Sequence, residues 1–343
     1  MIAASLLRRL RCPLDHTPLT VSGDRLLCEH QHRYPVVDGV PVMLVPGQRP
    51  TIDLADHSLA RAEGLRVDAR APELHLESLG ISEPEKEGVV ALAKQGGAID
   101  PVVAYLVAAT NGLMYRHLIG SLASYPIPDL PLPEGNGRSL LDIGCSWGRW
   151  TIAAERRGYH AVGVDPSLGA VMAARRVALS LGVDASYVVA DARQLPFDTG
   201  AFDTVYSYSV IQHFSRDDAN RAVAEVGRVL RLGGVAKIQM PTRFGVRCLM
   251  HQARRSFRDG EGFEVRYWSL PALRHLFERA IGTVRISVDG FFGIGLQRSD
   301  AALMTPALRR VLWASEWLKR ASRWCSPLTW VADSVFVEAA RTR

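Results

Sequence analysis

Leu140-Leu141-Asp142-Ile143-Gly144-Cys145-Ser146-Trp147-Gly148-Arg149-Trp150 decides the architecture of this chain. Two aliphatics lead into an acidic residue and then into a turn of small residues. A second apolar run, Ala161-Val162-Gly163-Val164, follows and ends in Asp165. The order is strand, glycine loop, helix, strand, with a carboxylate at the second strand's tip. Such a unit opens a parallel sheet with helices on both faces, so the expected fold class is α/β and doubly wound.

Gly144 and Gly148 permit positive φ and let a ligand lie against the loop backbone. Asp165 is placed to accept both hydroxyls of a ribose. That pairing suits a dinucleotide as well as S-adenosylmethionine, and the residues downstream separate the two. Ala190-Asp191-Ala192 follows a third apolar run, Tyr187-Val188-Val189, and suits an adenine amino group. Then come Leu195-Pro196-Phe197, Ala201-Phe202-Asp203-Thr204-Val205-Tyr206, Ser209-Val210-Ile211-Gln212-His213-Phe214 and Val229-Leu230-Arg231-Leu232-Gly233-Gly234.

In this order and spacing the series resembles class I S-adenosylmethionine-dependent methyltransferases, of the type that includes the ubiquinone and menaquinone biosynthesis enzymes. The resemblance covers roughly residues 138–240. It implies a Rossmann-like sheet of seven strands. Val284–Val288 and Asp333–Glu338 read as strands six and seven, the seventh returning antiparallel between five and six. It also implies S-adenosylmethionine as cofactor, held by Asp142, Gly144, Ser146, Gly148, Asp165, Asp191, Ala192 and Ser209. Tyr115 and Arg116 stand just before the core, where related enzymes lay a helix over the cofactor. Ser146 departs from the family's usual loop, whose middle position is glycine. A serine fits there if its φ is negative, and its hydroxyl then faces the cofactor carboxylate.

Methyl transfer is an in-line displacement in which the protein mainly aligns the reactants and excludes water. A hydroxyl acceptor also needs a base. His213, just past the fourth strand, is the candidate catalytic residue, since an unperturbed histidine titrates near pH ~6.5. The expected acceptor is a small molecule, a glycan or a lipid-linked intermediate, methylated at oxygen. The rival readings are an RNA methyltransferase and a non-catalytic scaffold. Nucleic acid is disfavoured because residues 1–50 carry only 6 Lys+Arg against 4 Asp+Glu. Ser209-Val210-Ile211-Gln212 also stands where amino-group methyltransferases carry Asn/Asp-Pro-Pro-aromatic. The intact acids and glycines speak against a scaffold.

Residues 1–50 form a separate ribbon-like β module. Leu10-Arg11-Cys12-Pro13-Leu14-Asp15 and Leu26-Leu27-Cys28-Glu29-His30 look like two knuckles joined by a hairpin. Tyr34-Pro35-Val36-Val37-Asp38-Gly39-Val40-Pro41-Val42-Met43-Leu44 resembles the small zinc-ribbon-like activator subunit of tRNA, rRNA and release-factor methyltransferases. A structural zinc wants four ligands in two close pairs. Cys12 and Cys28 are present, but Asp15 and Gln31 occupy the partner positions, and His30 and His32 fall off-register. The spacing therefore favours a metal-free ribbon, with Cys12, Cys28, His30 and His32 as weak candidates.

Residues 51–137 read as an acidic linker and cap helices, with Pro101 opening a helix. Residues 138–343 read as the methyltransferase domain, with substrate-cap insertions near 243–280 and 291–331. Arg243, Arg247, Arg254, Arg255 and Arg258 could share a helical face able to grip an anion. Four of the seven tryptophans fall in 291–331, and on a helix over 306–324 Trp313, Trp317 and Trp324 share one face, opposite Leu308, Val311, Leu312 and Leu318. A helix apolar on two sides has two partners. The second is an acceptor, a membrane surface, a homodimer mate or the monomer's own interior.

The 343 residues carry a net charge of +6, and the excess lies in the last third: residues 241–343 have 17 Lys+Arg against 9 Asp+Glu. With 37 Arg and 4 Lys, the bias is one of codon usage as much as of ligand. Five scattered cysteines exclude a disulfide framework. No apolar run approaches the ~20 residues of a membrane span. The expected localisation is cytoplasmic, peripheral to the membrane if the tryptophan face engages lipid.

Overall fold

The protein was analysed as a computed structural model, which describes residues 2–47, 53–293 and 295–342, with the side chains of Thr110, Asn111 and Leu113 left aside. The boundary drawn near residue 50 lies outside the described residues. The described residues form eleven strands: β1 (Thr20–Ser22), β2 (Arg25–Leu27), β3 (Arg33–Val37), β4 (Val40–Pro41), β5 (Ser139–Ile143), β6 (His160–Asp165), β7 (Ser186–Val189), β8 (Phe202–Ser207), β9 (Leu230–Pro241), β10 (Gly282–Gly290) and β11 (Ser334–Arg341). The helices are α1 (Ala4–Arg9), α2 (Leu54–Ala62), α3 (Glu83–Gln95), α4 (Pro101–Asn111), α5 (Arg149–Arg156), α6 (Leu168–Ser180), α7 (Arg216–Val229), α8 (Val246–Arg254), α9 (Leu270–Ala280), α10 (Pro306–Ala321) and α11 (Pro327–Val331).

β5 to β11 form one sheet in the order β10-β11-β9-β8-β5-β6-β7. β5 to β9 run parallel, and β11 returns antiparallel to both β9 and β10. The sheet is thus seven-stranded, with the last strand inserted as expected. Parallel strands buried on both faces read as continuous apolar runs. Leu141, Val162, Val205 and Val337 face α7 and α9, while Leu140, Ala161, Tyr206 and Phe336 face α5. Asp142 is the exception, buried in the central strand. Its Oδ2 accepts from Thr151 Oγ at 2.7 Å, which ties β5 to α5.

The N-terminal residues form a four-stranded antiparallel sheet in the order β1-β2-β3-β4. It docks on the main sheet through real pairing. Val42 bridges Val189 of β7, and the Met43 N–H donates to the Val189 carbonyl at 2.7 Å. Leu10 bridges Phe197, and Arg11 pairs with Asp198 at 2.5 Å.

Residues 51–100 read as a polar, acidic linker in sequence, yet those described from 53 onward pack closely. Ser58 and Ser78 reach the start of α6: the Leu168 N–H donates to Ser58 Oγ at 2.9 Å, and the Gly169 N–H donates to Ser78 Oγ at 2.8 Å. A Cβ at Gly169 would lie 2.5 Å from the His75 carbonyl, so only glycine permits this approach. Serines that looked like linker residues are satisfying the first N–H groups of α6, which have no partner within the helix. Among the described residues, no helix is long and apolar enough to cross a membrane.

Candidate active site

The glycine loop after β5 makes three left-handed steps, with φ of +73° at Gly144, +47° at Ser146 and +81° at Gly148. At Gly144 even a methyl group would meet Val210 at 2.2 Å. Ser146 is a correction to the sequence reading, which fitted serine only at negative φ. The residue holds a conformation that costs a side chain roughly 1–2 kcal/mol. The gain is geometric: its N–H turns onto Asp165 Oδ2 at 3.0 Å. Ser167 N–H meets Oδ1 at 3.0 Å. Each carboxylate oxygen of Asp165 thus accepts one backbone N–H and keeps lone pairs facing the cavity.

Burial raises the Asp165 carboxyl to about 6, against the pull of the Ser167 and Ser146 N–H groups. Burial likewise lifts Asp142 to about 7, opposed by the Thr151 hydroxyl. Both acids bind protons more tightly folded than unfolded, so their share of stability is complete in acid and fades as pH rises through 6 to 7.

A cavity of about 590 Å³ opens over the carboxyl ends of the strands, within the usual size for a small-molecule site. Gly144, Ser146, Asp165, Asp191, Ala192, Ser209 and His213 all line it. Asp142 and Gly148 support the loop from behind. Asp191 holds its carboxylate against Arg193, with Nη2 at 2.6 Å, and Arg193 continues to Asp218 at 3.1 Å. Ser209 sits at φ +61°, its N–H and hydroxyl donating to Gln239 Oε1 at 3.0 and 3.2 Å.

Two expected residues lie elsewhere. Arg116 is exposed, and the Tyr115 ring is buried with its hydroxyl donating to Asp300. The wall that they were meant to form comes from Ala108, Ala109, Gly112 and Met114. The helix breaks at Gly112 (φ +110°) into a 3-10 turn over Leu113–Leu118, which rotates Tyr115 away.

Arg149 is a cavity-lining cation that the sequence reading passed over. It lines the cavity from the first position of α5, buried, with Nη2 on Asp300 at 2.9 Å and the guanidinium over the Tyr115 and Trp150 rings. Its Nε has no hydrogen-bond partner among the described residues. The sequence carries only a partial signal: a cation at a helix N-terminus opposes the helix dipole and calls for anionic partners without naming them. One is Asp300, a residue of the C-terminal cap more than 150 positions away.

His213 borders the cavity. Its Nδ1 donates to the Phe263 carbonyl at 2.7 Å, which leaves the Nε2 lone pair to accept from Gln212 Nε2 at 3.1 Å. The Phe263 ring stacks on the imidazole at a centroid distance of 3.9 Å. Burial pulls the His213 pKa down to about 4, partly countered by the Phe263 carbonyl. The ring is therefore neutral near pH 7. Arg266 fixes the overlying segment, donating to the carbonyls of His213 (2.7 Å) and Gly262 (3.1 Å).

Arg247 and His251 of α8 also face the cavity, with Tyr267 and Tyr208. The other arginines of the expected basic face do not. α8 ends at Arg254, and Arg255 and Arg258 turn to pair with Glu264 at 3.4 and 2.8 Å. Of the two strand tyrosines, Tyr208 borders the cavity and bonds Asp289 at 3.1 Å, whereas Tyr206 lies within the sheet.

In the ribbon, Cys12, Cys28 and His32 converge with Asp15, while His30 contacts Asp15 from outside. On α10 the tryptophan face is open: Trp313 and Trp317 are 48% and 66% exposed, and Trp324, beyond the helix end, 94%. Burial of both faces within the monomer is thus overturned. Leu312 and Ser315 carry the inner face, and Val311, expected there, is exposed.

Residues 140–234 match the methyltransferase domain family. Relatives include the ubiquinone biosynthesis O-methyltransferase of Azorhizobium caulinodans, 35% identical over 98 residues, covering 29% of this chain and 35% of that protein. Ajmaline N-methyltransferase of Rauvolfia serpentina is 32% identical over 104 residues, covering 29% and 35%. The 2-methyl-6-phytyl-1,4-hydroquinone methyltransferase of Synechocystis is 27% identical over 156 residues, covering 45% and 44%. The chain spans less than half the length of these relatives, and the family match runs from β5 to the start of β9.

Proposed function

We infer that this protein, with a methyltransferase domain at residues 140–234, moves the methyl group of S-adenosylmethionine to a small-molecule or lipid-linked acceptor bound beneath its C-terminal cap. The Asp165 carboxylate carries the reading. It is held by one backbone N–H on each oxygen at the tip of β6 and aimed into a cavity large enough for two ligands. Asp165 would take the ribose hydroxyls. The unpartnered Ser146 Oγ and Arg149 Nε, both buried, suit the carboxylate of the amino-acid end. Asp191 and Ala192 would border the adenine. The cofactor supplies an already activated sulfonium methyl. The chain's own task is alignment, exclusion of water, and acceptance of one proton from a hydroxyl acceptor at His213 Nε2 once Gln212 swings aside. Heat released on titrating S-adenosylmethionine into the protein tests the first half. A mass gain of one methyl group on a candidate acceptor tests the second.

Ser146 offers a clean separation of backbone and side chain. Ser146→Gly removes the strained φ, and its stability should stay within about 1 kcal/mol of wild type because glycine costs more chain entropy. Cofactor affinity should fall roughly ten- to hundredfold, the worth of one hydrogen bond at a charged group, roughly 1.5–3 kcal/mol. Unchanged affinity by calorimetry would assign Ser146 to loop geometry alone.

The exposed Trp313, Trp317 and Trp324, beside Arg309, Arg310, Arg320 and Arg323 in the segment that carries the chain's positive excess, favour an amphiphilic acceptor met at an anionic membrane surface. Trp313→Ala with Trp317→Ala should abolish co-sedimentation with vesicles of anionic phospholipid while leaving cofactor affinity untouched. Wild-type protein that stays in the supernatant with those vesicles ends the membrane reading.

A further inference from the structure

We propose that Cys12, Asp15, Cys28 and His32 hold one zinc ion, which fixes the N-terminal ribbon against the cofactor-binding end of the main sheet. The ligand atoms of the four residues lie within 4.8 Å of one another. Around a zinc at roughly 2.0–2.3 Å from each donor, tetrahedral geometry sets donor–donor separations of roughly 3.3–3.8 Å. The structure gives His32 Nδ1 to Cys12 Sγ 3.4 Å, His32 Nδ1 to Cys28 Sγ 3.3 Å, Cys28 Sγ to Asp15 Oδ2 3.6 Å, and His32 Nδ1 to Asp15 Oδ2 3.1 Å. Hydrogen bonding alone does not account for this convergence. One ring nitrogen has either one proton or one lone pair, yet Nδ1 of His32 stands at bonding distance from three groups. A cation at the common centre satisfies all four at once.

The surroundings are built for the same purpose. Each cysteine opens a tight turn: the His16 N–H returns to the Cys12 carbonyl at 2.8 Å, and the Gln31 N–H to the Cys28 carbonyl at 3.0 Å. Both closing residues are non-glycine and left-handed, with φ of +58° at His16 and +64° at Gln31. That strain has a reason if the turns present ligands. Groups behind the ligands orient them, as around known metal sites. Tyr34 Oη lies 3.1 Å from Cys12 Sγ, and Thr17 gives its N–H (3.0 Å) and hydroxyl (2.6 Å) to Asp15 Oδ1, so that Oδ2, which His30 Nδ1 also approaches at 2.9 Å, is the oxygen turned to Cys28 and His32. Two thiolates, one imidazole and one carboxylate form a closed four-ligand set that favours zinc over calcium or magnesium.

The site lies in the part of the ribbon that grips the main sheet. Leu10 and Arg11, next to Cys12, bind Phe197, Pro196 and Asp198, and β3 and β4 lead from the second knuckle to the Met43–Val189 pairing. This inference stands apart from the methyl-transfer reading, and its test reads metal and stability.

Full-length protein purified without chelator should contain about one zinc per chain by plasma mass spectrometry. Cobalt-exchanged protein should show thiolate charge-transfer and intense tetrahedral d–d bands. Cys28→Ser and Asp15→Ala should lose the metal and melt at lower temperature, whereas Asp15→Cys, which restores a fourth strong ligand, should keep both. If Cys28→Ser fails to fold, Asp15→Ala and Asp15→Cys decide the matter. Metal-free wild type, an unaltered zinc content in Asp15→Ala, or a Cys12–Cys28 disulfide seen as a mass two hydrogens short would each overturn the proposal.

Discussion

His213→Ala should lower kcat by roughly 10²–10⁴-fold while leaving cofactor affinity and acceptor KM near their wild-type values. The expectation rests on tautomer and position. Nδ1 must carry the proton because it donates to the Phe263 carbonyl, so Nε2 is the basic nitrogen, and it borders the cavity. With its pKa held near 4 by burial, the ring is an unprotonated base across the neutral range. The wild-type rate should therefore be flat above pH 6 and fall only as the pH drops toward 4. The competing role is mechanical, since His213 also anchors Phe263 and the segment above it. Loss of an anchor raises KM and lowers the melting temperature with a modest change in kcat. His213→Gln, which can still donate to the Phe263 carbonyl, separates the two: kcat stays low for a lost base and recovers for a lost anchor.

Asp165→Asn should weaken S-adenosylmethionine binding at least tenfold and change how the stability of the cofactor-free protein depends on pH. Replacing a carboxylate that accepts two ribose hydroxyls forfeits one or two charge-assisted bonds, each roughly 1.5–3 kcal/mol. The pH dependence follows from the raised pKa. Above pH 6 the wild type keeps a buried charge that its fold disfavours, and the amide removes it. The amide nitrogen also faces one of the two N–H groups that the carboxylate accepts, a loss that does not vary with pH. Relative to the wild type, the variant's melting temperature should rise between about pH 4, the ordinary aspartate value, and pH 6, and level off above. Unchanged affinity by calorimetry would take Asp165 out of the site. A difference between variant and wild type that does not vary with pH would show that the fold does not raise the Asp165 pKa.

Much of this was legible in the sequence because parallel strands buried on both sides announce themselves as apolar runs, and because the acid at each strand tip marks the cavity rim. The Asp142 to Asp165 unit belongs to that class, and the apolar run at 333–338 shows the late antiparallel strand because it too is buried between neighbours. What escaped depended on contacts between distant segments. Arg149 reads as a surface cation until Asp300 is folded against it. Tyr115 sits one helical break away from the cavity, and Gly112 alone does not say which way the break turns. The ribbon ligands were obscured by a search for two equal spacings. Asp15 closes one turn at two intervening residues, and His32 closes the other at three because Gln31 absorbs the left-handed step. Ser146 was misjudged for a similar reason, since the N–H directed at Asp165 fixes its backbone more than its side chain does.

The pairing of Val42 with Val189 has a consequence of a different kind. β7 ends the row of strands, and a terminal strand presents unpaired amides and carbonyls that can recruit another molecule. Here the Met43 N–H already occupies the Val189 carbonyl, and Val42 lies alongside. The ribbon thus works as a selvedge that finishes a fabric otherwise free to fray or be extended. A chain shortened to residues 138–343 would bare that margin beside the cavity. Self-association of such a fragment would then report an uncovered strand.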